Sequence, residues 1–163
     1  MKTEMGEYLV GAYLKLIECC DIVDYNVRPP IEGIKGLGEL DVIGLRFSDG
    51  TAFICEVTTH LGGLLYGKRA DTIKKLVEKN RRQITYADQF LKSFPHKKYQ
   101  LWSPKVGGKT LAGLNIVGLE LIINNEYAKR LSDLRFRASK TEKDYGNPFF
   151  RVLQIIEQSK LSK

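Results

Sequence analysis

Two carboxylates stand where a plain β-hairpin would carry valine or threonine. In "GELDVIGLRFSDGTAFICEVTTH", residues 38–60, two apolar runs flank Asp49-Gly50, with Asp41 inside one and Glu56 inside the other. Asp-Gly is a favoured pair for a two-residue type I′ loop. That loop makes Ser48 pair with Thr51, places Asp41 opposite Thr58, and places Ile43 opposite Glu56. Paired residues share a face, so Asp41, Glu56 and Thr58 point the same way. The two acids become diagonal neighbours at a backbone spacing of ~7–8 Å. A slip of one residue would send Glu56 to the other face. Half-buried carboxylates are costly without a compensating charge. A divalent cation supplies one, and Mg²⁺ favours one or two carboxylates together with waters and phosphate oxygens. The alternative is that each acid pairs with a Lys or Arg such as Arg46 or Lys74.

The elements that must position these acids follow from periodicity. Leu9, Ala12, Tyr13, Leu16 and Ile17 have helical spacing within residues 3–20. Residues 22–27 alternate as a short strand, stopped by Pro29-Pro30. A Gly-rich loop, "EGIKGLG", fills residues 32–38 and carries Lys35 at its tip. Strands follow at 39–47 and 51–58, then a long helix over about 68–93. Its expected buried stripe is Ile73, Leu76, Val77, Ile84, Ala87 and Leu91. Lys68, Lys75, Lys79 and Arg82 then share another, outward face. Two further strands are expected at 99–103 and 115–123, joined by a turn through "VGGK", with helices at about 126–139 and 148–160. The order α-β-β-β-α-β-β-α-α describes an α/β protein with a mixed central sheet flanked by helices.

At 163 residues, 43% hydrophobic and 28% charged, the chain fits a single domain, 1–163, with a real core. No apolar run approaches the ~20 residues of a membrane span. The acid-bearing N-terminus does not suit a signal peptide. Cys19, Cys20 and Cys55 have neither zinc-site nor disulfide-framework spacing. These features suggest a soluble, cytoplasmic protein with no membrane partner. Twenty-six Lys and Arg against nineteen Asp and Glu give +7, which favours a polyanionic partner.

"ELD", a hairpin and "CEVTT" together resemble the core of the PD-(D/E)XK nuclease superfamily. That group includes many restriction endonucleases, archaeal Holliday-junction resolvases and some intron-encoded homing endonucleases. The likeness spans the order of elements over most of the chain but only three or four motif residues. It implies a restriction-endonuclease-like αβββαβ core with an extra strand and C-terminal helices. By the same resemblance, Asp41 and Glu56 ligate Mg²⁺ or Mn²⁺, the Val57 carbonyl adds a ligand, and Glu7 on the first helix assists. The implied activity is metal-dependent hydrolysis of phosphodiester bonds, with double-stranded DNA as substrate and a homodimer as the acting form.

One position departs from the motif. The family's lysine, which orients or activates the attacking water, should stand two residues after Glu56, where this chain has Thr58. Lys68, Lys74 or Lys75 on the following helix could replace it, or the Thr58 hydroxyl could hold the water. Otherwise catalysis is lost and a nucleic-acid-binding or protein-interaction module remains.

Other features carry a structural and a functional reading side by side. The stripe Lys68, Lys75, Lys79 and Arg82, with Lys35 and a basic run at Arg130, Arg135, Arg137 and Lys140, is either a solvated surface or a phosphate-contacting one. Gln83 and Tyr86 resemble a Gln/Tyr pair carried on this helix by some exonucleases of the superfamily, with a spacing of three rather than four. "VGGKT" lacks the first glycine of a nucleotide-binding loop, Ser103 standing in its place, so it reads as a plain hairpin turn or a basic loop facing DNA. His60 could act as a base, and Trp102, Tyr86 and Tyr99 could stack on bases, but core or solvated roles suit all four.

Overall fold

The computed structural model describes residues 2–29, 38–114 and 118–161. Lys35 and most of the Gly-rich loop therefore lie outside the described residues. The chain runs α1 (Met5–Leu16), β1 (Ile22–Val27), β2 (Leu40–Arg46), β3 (Thr51–Val57), α2 (Arg69–Phe90), β4 (His96–Ser103), α3 (Gly108–Leu114), β5 (Glu120–Ile123), α4 (Asn124–Ser139) and α5 (Pro148–Leu161). One five-stranded sheet is ordered β1-β2-β3-β4-β5. The first three strands are antiparallel, and β4 and β5 add parallel to β3 and to each other. The expected α/β class with a mixed sheet between helices is what forms. None of the described helices is long and apolar enough to cross a membrane.

The central strand, "TAFICEV", is rich in β-branched and aromatic residues that suit a covered sheet, and six of its seven residues are buried. Phe53 and Cys55 face α1, α4 and α5 in the largest apolar cluster, with Tyr13, Leu14, Trp102 and Phe150. Ala52 and Ile54 face α2 in a second cluster with Ile43, Tyr86, Ala87 and Leu91.

Three expectations need correction. The β2–β3 connection is a four-residue loop, since Arg46 pairs with Thr51, and the ladder ends at Val42 opposite Cys55. A type I′ turn needs positive φ at both central residues. Within residues 47–50 only Gly50 has it, at 66°. The Asp49 side chain instead accepts from Thr51 N–H at 3.2 Å and holds Arg46 at 2.8 Å. Asp41 is thus not opposite Thr58. Second, "VGGK" is no hairpin turn: β4 and β5 are parallel and α3 begins at Gly108. Parallel strands need a crossover, and this short helix is part of it. Residues 115–117 of the expected fifth strand lie outside the described residues, and the strand itself is only Glu120–Ile123.

Third, α2 buries only part of the expected stripe: Leu76, Ala87 and Leu91 are buried as expected, but Val77 and Ile84 are not. Its inward residues are Thr72, Leu76, Asn80, Gln83, Tyr86 and Ala87, while Val77 and Ile84 are 44% and 38% exposed. The end of β3 beneath the middle of α2 carries Glu56, so Asn80 and Gln83 join the buried face there, and hydrophobic periodicity alone includes Val77 and Ile84 in their place.

Candidate active site

The polar patch lies at the C-terminal end of β3. The register differs from the expected one by two residues, which preserves the face of every side chain. Asp41 and Glu56 come one position beyond the last ladder pair and stand on neighbouring strands. Glu56 is 4% exposed and is ion-paired with the Lys79 ammonium. Asp41 Oδ2 accepts the Val57 N–H at 2.7 Å, so it is the Val57 amide that the structure sets against an acid.

α2 delivers Lys79 because its polar face is bonded down. Gln83 Nε2 donates to the Ile54 carbonyl at 3.0 Å, and Asn80 Nδ2 donates to Gln83 Oε1 at 3.3 Å. Lys79 lies one turn before Gln83 on the same side, above Glu56. Burial lowers the Lys79 pKa from its ordinary value, opposed by the charge of Asp41. Burial raises the pKa of Asp41, opposed by the Val57 hydrogen bond and by Lys79.

Glu7 approaches from the other layer. Gly6 packs so tightly that a Cβ there would lie 2.3 Å from Thr59 Cγ2 and 3.2 Å from Val57 Cγ1. That contact brings the first turn of α1 onto the end of β3. Glu7 is buried, accepts from Glu4 N–H at 2.9 Å and from Asn26 Nδ2 at 3.2 Å, and has its pKa raised by burial and by the charge of Asp41. Asn26, with φ of 53°, interrupts β1 between its pairs Tyr25–Val42 and Val27–Leu40. Asparagine tolerates that conformation better than other residues with a Cβ.

Thr58, at the motif's lysine position, is 5% exposed, and its hydroxyl has no hydrogen-bond partner among the described residues. Tyr66 lies close enough for Thr58 to temper the rise in the phenol's pKa that burial causes. The Tyr66 ring carries Lys75 Nζ at 4.0 Å from its centroid and Lys79 at 5.9 Å, with His60 edge-on at 5.5 Å. Neither Lys75 nor the exposed Lys68 and Lys74 is the cation on Glu56. Sequence reasoning missed Lys79 in that role because it placed this lysine on the outward face. Its one legible signal was Gln83, four residues on.

Other expected features sort away from this patch. Arg46 pairs with Asp49 and Glu18 rather than with either acid. Arg130 binds Tyr13, Glu126 and Glu18, and Arg135 binds Glu157, so these members of the basic run brace helices on the α1 layer. Trp102 is packed against Tyr13 in the core, and Tyr86 belongs to the α2 cluster. A cavity of about 400 Å³ lies on the α1 layer beside β1, but its Lys15 and Asp21 are already bonded to backbone groups.

The donors at the β3 end are hard oxygens, which suits Mg²⁺ or Mn²⁺. Among the described residues no three His, Cys, Asp or Glu side chains converge as a ready metal-binding set. The orphaned Thr58 hydroxyl and the acids Asp41, Glu56 and Glu7, faced by Lys79 and Arg82, leave both polar capacity and negative charge to be met. Compared with protein-family models, curated proteins and solved structures, the chain matches none of them. The resemblance drawn from the motif therefore rests on this chain's own motif residues.

Proposed function

We propose that the protein is a Mg²⁺- or Mn²⁺-dependent nuclease with a restriction-endonuclease-like core, acting on DNA. The observation that carries this reading is a lysine brought from α2 onto Glu56, where the chain lacks the lysine of its motif.

Asp41 and Glu56 would hold the ion, with the Val57 carbonyl and Glu7 as supporting oxygens. An ion bound there polarises a phosphoryl oxygen and makes water a better nucleophile. The chain's own groups supply the rest. The Val57 N–H fixes the Asp41 carboxylate, and the Gln83 bond to β3 fixes the height of Lys79. Lys79 can donate to the attacking water or to a phosphoryl oxygen whose charge grows during in-line displacement. The Thr58 hydroxyl, beside the Tyr66 phenol, can orient that water.

The Lys79–Glu56 pair also favours a second reading. A lysine can neutralise an acid permanently and leave a module that binds nucleic acid without cutting it. The experiment that separates the two is cleavage of supercoiled plasmid and of a four-way junction with Mg²⁺ or Mn²⁺, comparing wild type with Glu56→Gln. Cutting by wild type that disappears in the variant supports the nuclease. No cutting with either ion, alongside retained DNA binding, supports the module.

A further inference from the structure

The loop that closes over the acid patch also forms one wall of a second, separate feature. Tyr66 packs beside Lys79, while its neighbours Leu65 and Gly67 line an open groove of about 530 Å³. The other walls are Lys68 and Arg69 at the start of α2, and Gly107, Gly108 and Lys109 at the start of α3. Leu64, Leu76, Val106 and Leu114 are buried together beneath it and lock the loop, α2 and α3 in register.

The groove's charge is unspent. Lys68, Arg69 and Lys109 are all exposed, and none takes part in an ion pair among the described residues. The nearest acid on the same turn, Asp71, accepts the Lys68 backbone N–H at 3.2 Å. Three cations from two helices thus face a single carboxylate. Like charges gathered around one hollow repel one another unless an anion joins them. At Gly107 and Gly108 a Cβ would meet nothing within 4 Å, so the rim stays low on that side.

We infer that this groove seats a backbone phosphate of the same nucleic-acid strand that reaches the acid patch, away from the phosphodiester held there. The inference rests on the nuclease reading for the identity of the strand, but the groove itself is built from residues outside that site. Cationic side chains contacting phosphate set register and affinity without reading sequence. The groove therefore positions the strand, and Lys109 of "VGGKT" is its contact from α3.

The test is equilibrium binding of a labelled 20-base-pair duplex in EDTA, where no cleavage occurs, across a series of salt concentrations. Wild type is compared with Lys109→Ala and with Lys15→Ala, an exposed control on the α1 layer. Lys109→Ala is expected to weaken binding and to flatten the dependence of log K on log salt by about 1, the change for one lost phosphate contact. Lys15→Ala should leave that slope at its wild-type value. The inference is overturned if Lys109→Ala keeps the wild-type slope, if Lys15→Ala flattens it equally, or if wild type fails to bind the duplex at low salt. A flattened slope in a protein that never cuts would keep the groove and remove the enzyme. Cutting that depends on Glu56, with an unchanged Lys109 slope, would do the reverse.

Discussion

The two faces of β3 are built to different rules. Toward α1, α4 and α5, Phe53 and Cys55 lie in the largest apolar cluster, with Phe53 fully buried and Cys55 donating to the neutral side chain of Gln100. Toward α2 the strand begins in the same way with Ala52 and Ile54 and then breaks at Glu56, over which Thr72, Asn80 and Gln83 are also buried. Both faces exclude water, but one gains stability from burial while the other holds charges whose pKa values are displaced against their ionised forms. Strain of that kind is kept where it serves a site.

Substitutions on the two faces should therefore act through different terms. The largest loss of stability belongs to the apolar face: Phe53→Ala should cost about 3–5 kcal/mol in urea denaturation. On the polar face, Lys79→Met leaves the Glu56 carboxylate buried and alone, and should cost about 3 kcal/mol. Adding Glu56→Gln should recover most of that loss. If the two single losses simply add, Lys79 and Glu56 are not coupled and the contrast fails. Cleavage by Lys79→Met should fall by about 10²–10³-fold.

Asp41→Asn should move stability the other way, up by about 1 kcal/mol at neutral pH, while abolishing cleavage. The sign follows from linkage. Asp41 has a raised pKa in the folded state, so its contribution is full at pH below the ordinary carboxylate value and is lost as pH rises through the folded value. The advantage of asparagine in thermal melts should consequently shrink as pH is lowered toward that range. Mg²⁺ or Mn²⁺ should raise the melting temperature of wild type but not of Asp41→Asn. The smallest effect is expected from Lys75→Ala. Its contact with Tyr66 is an exposed cation–π pair worth about 0.5–1 kcal/mol, and cleavage should stay near wild type. A large loss of cleavage there would transfer the catalytic assignment from Lys79 to Lys75.

Much of the contrast between the two faces is legible in the order of residues alone. Alternation of apolar residues around Asp49-Gly50 determined that residues 40–57 form two paired strands with Asp41 and Glu56 on one face, because an even shift in register leaves side-chain direction unchanged. Helical spacing likewise determined α1, with Glu7 in its first turn. What the sequence could not decide is what the tertiary structure supplies. The register depends on a four-residue turn in which Asp49 holds Arg46 and only Gly50 has positive φ. The rotation of α2 depends on which polar groups of β3 need partners, so a helix with apolar residues on two sides turned Gln83 and Lys79 inward and left Val77 and Ile84 in solvent. A partner 23 residues distant in the chain, such as Lys79 for Glu56, has no local signal, since only packing across the sheet brings the two charges together.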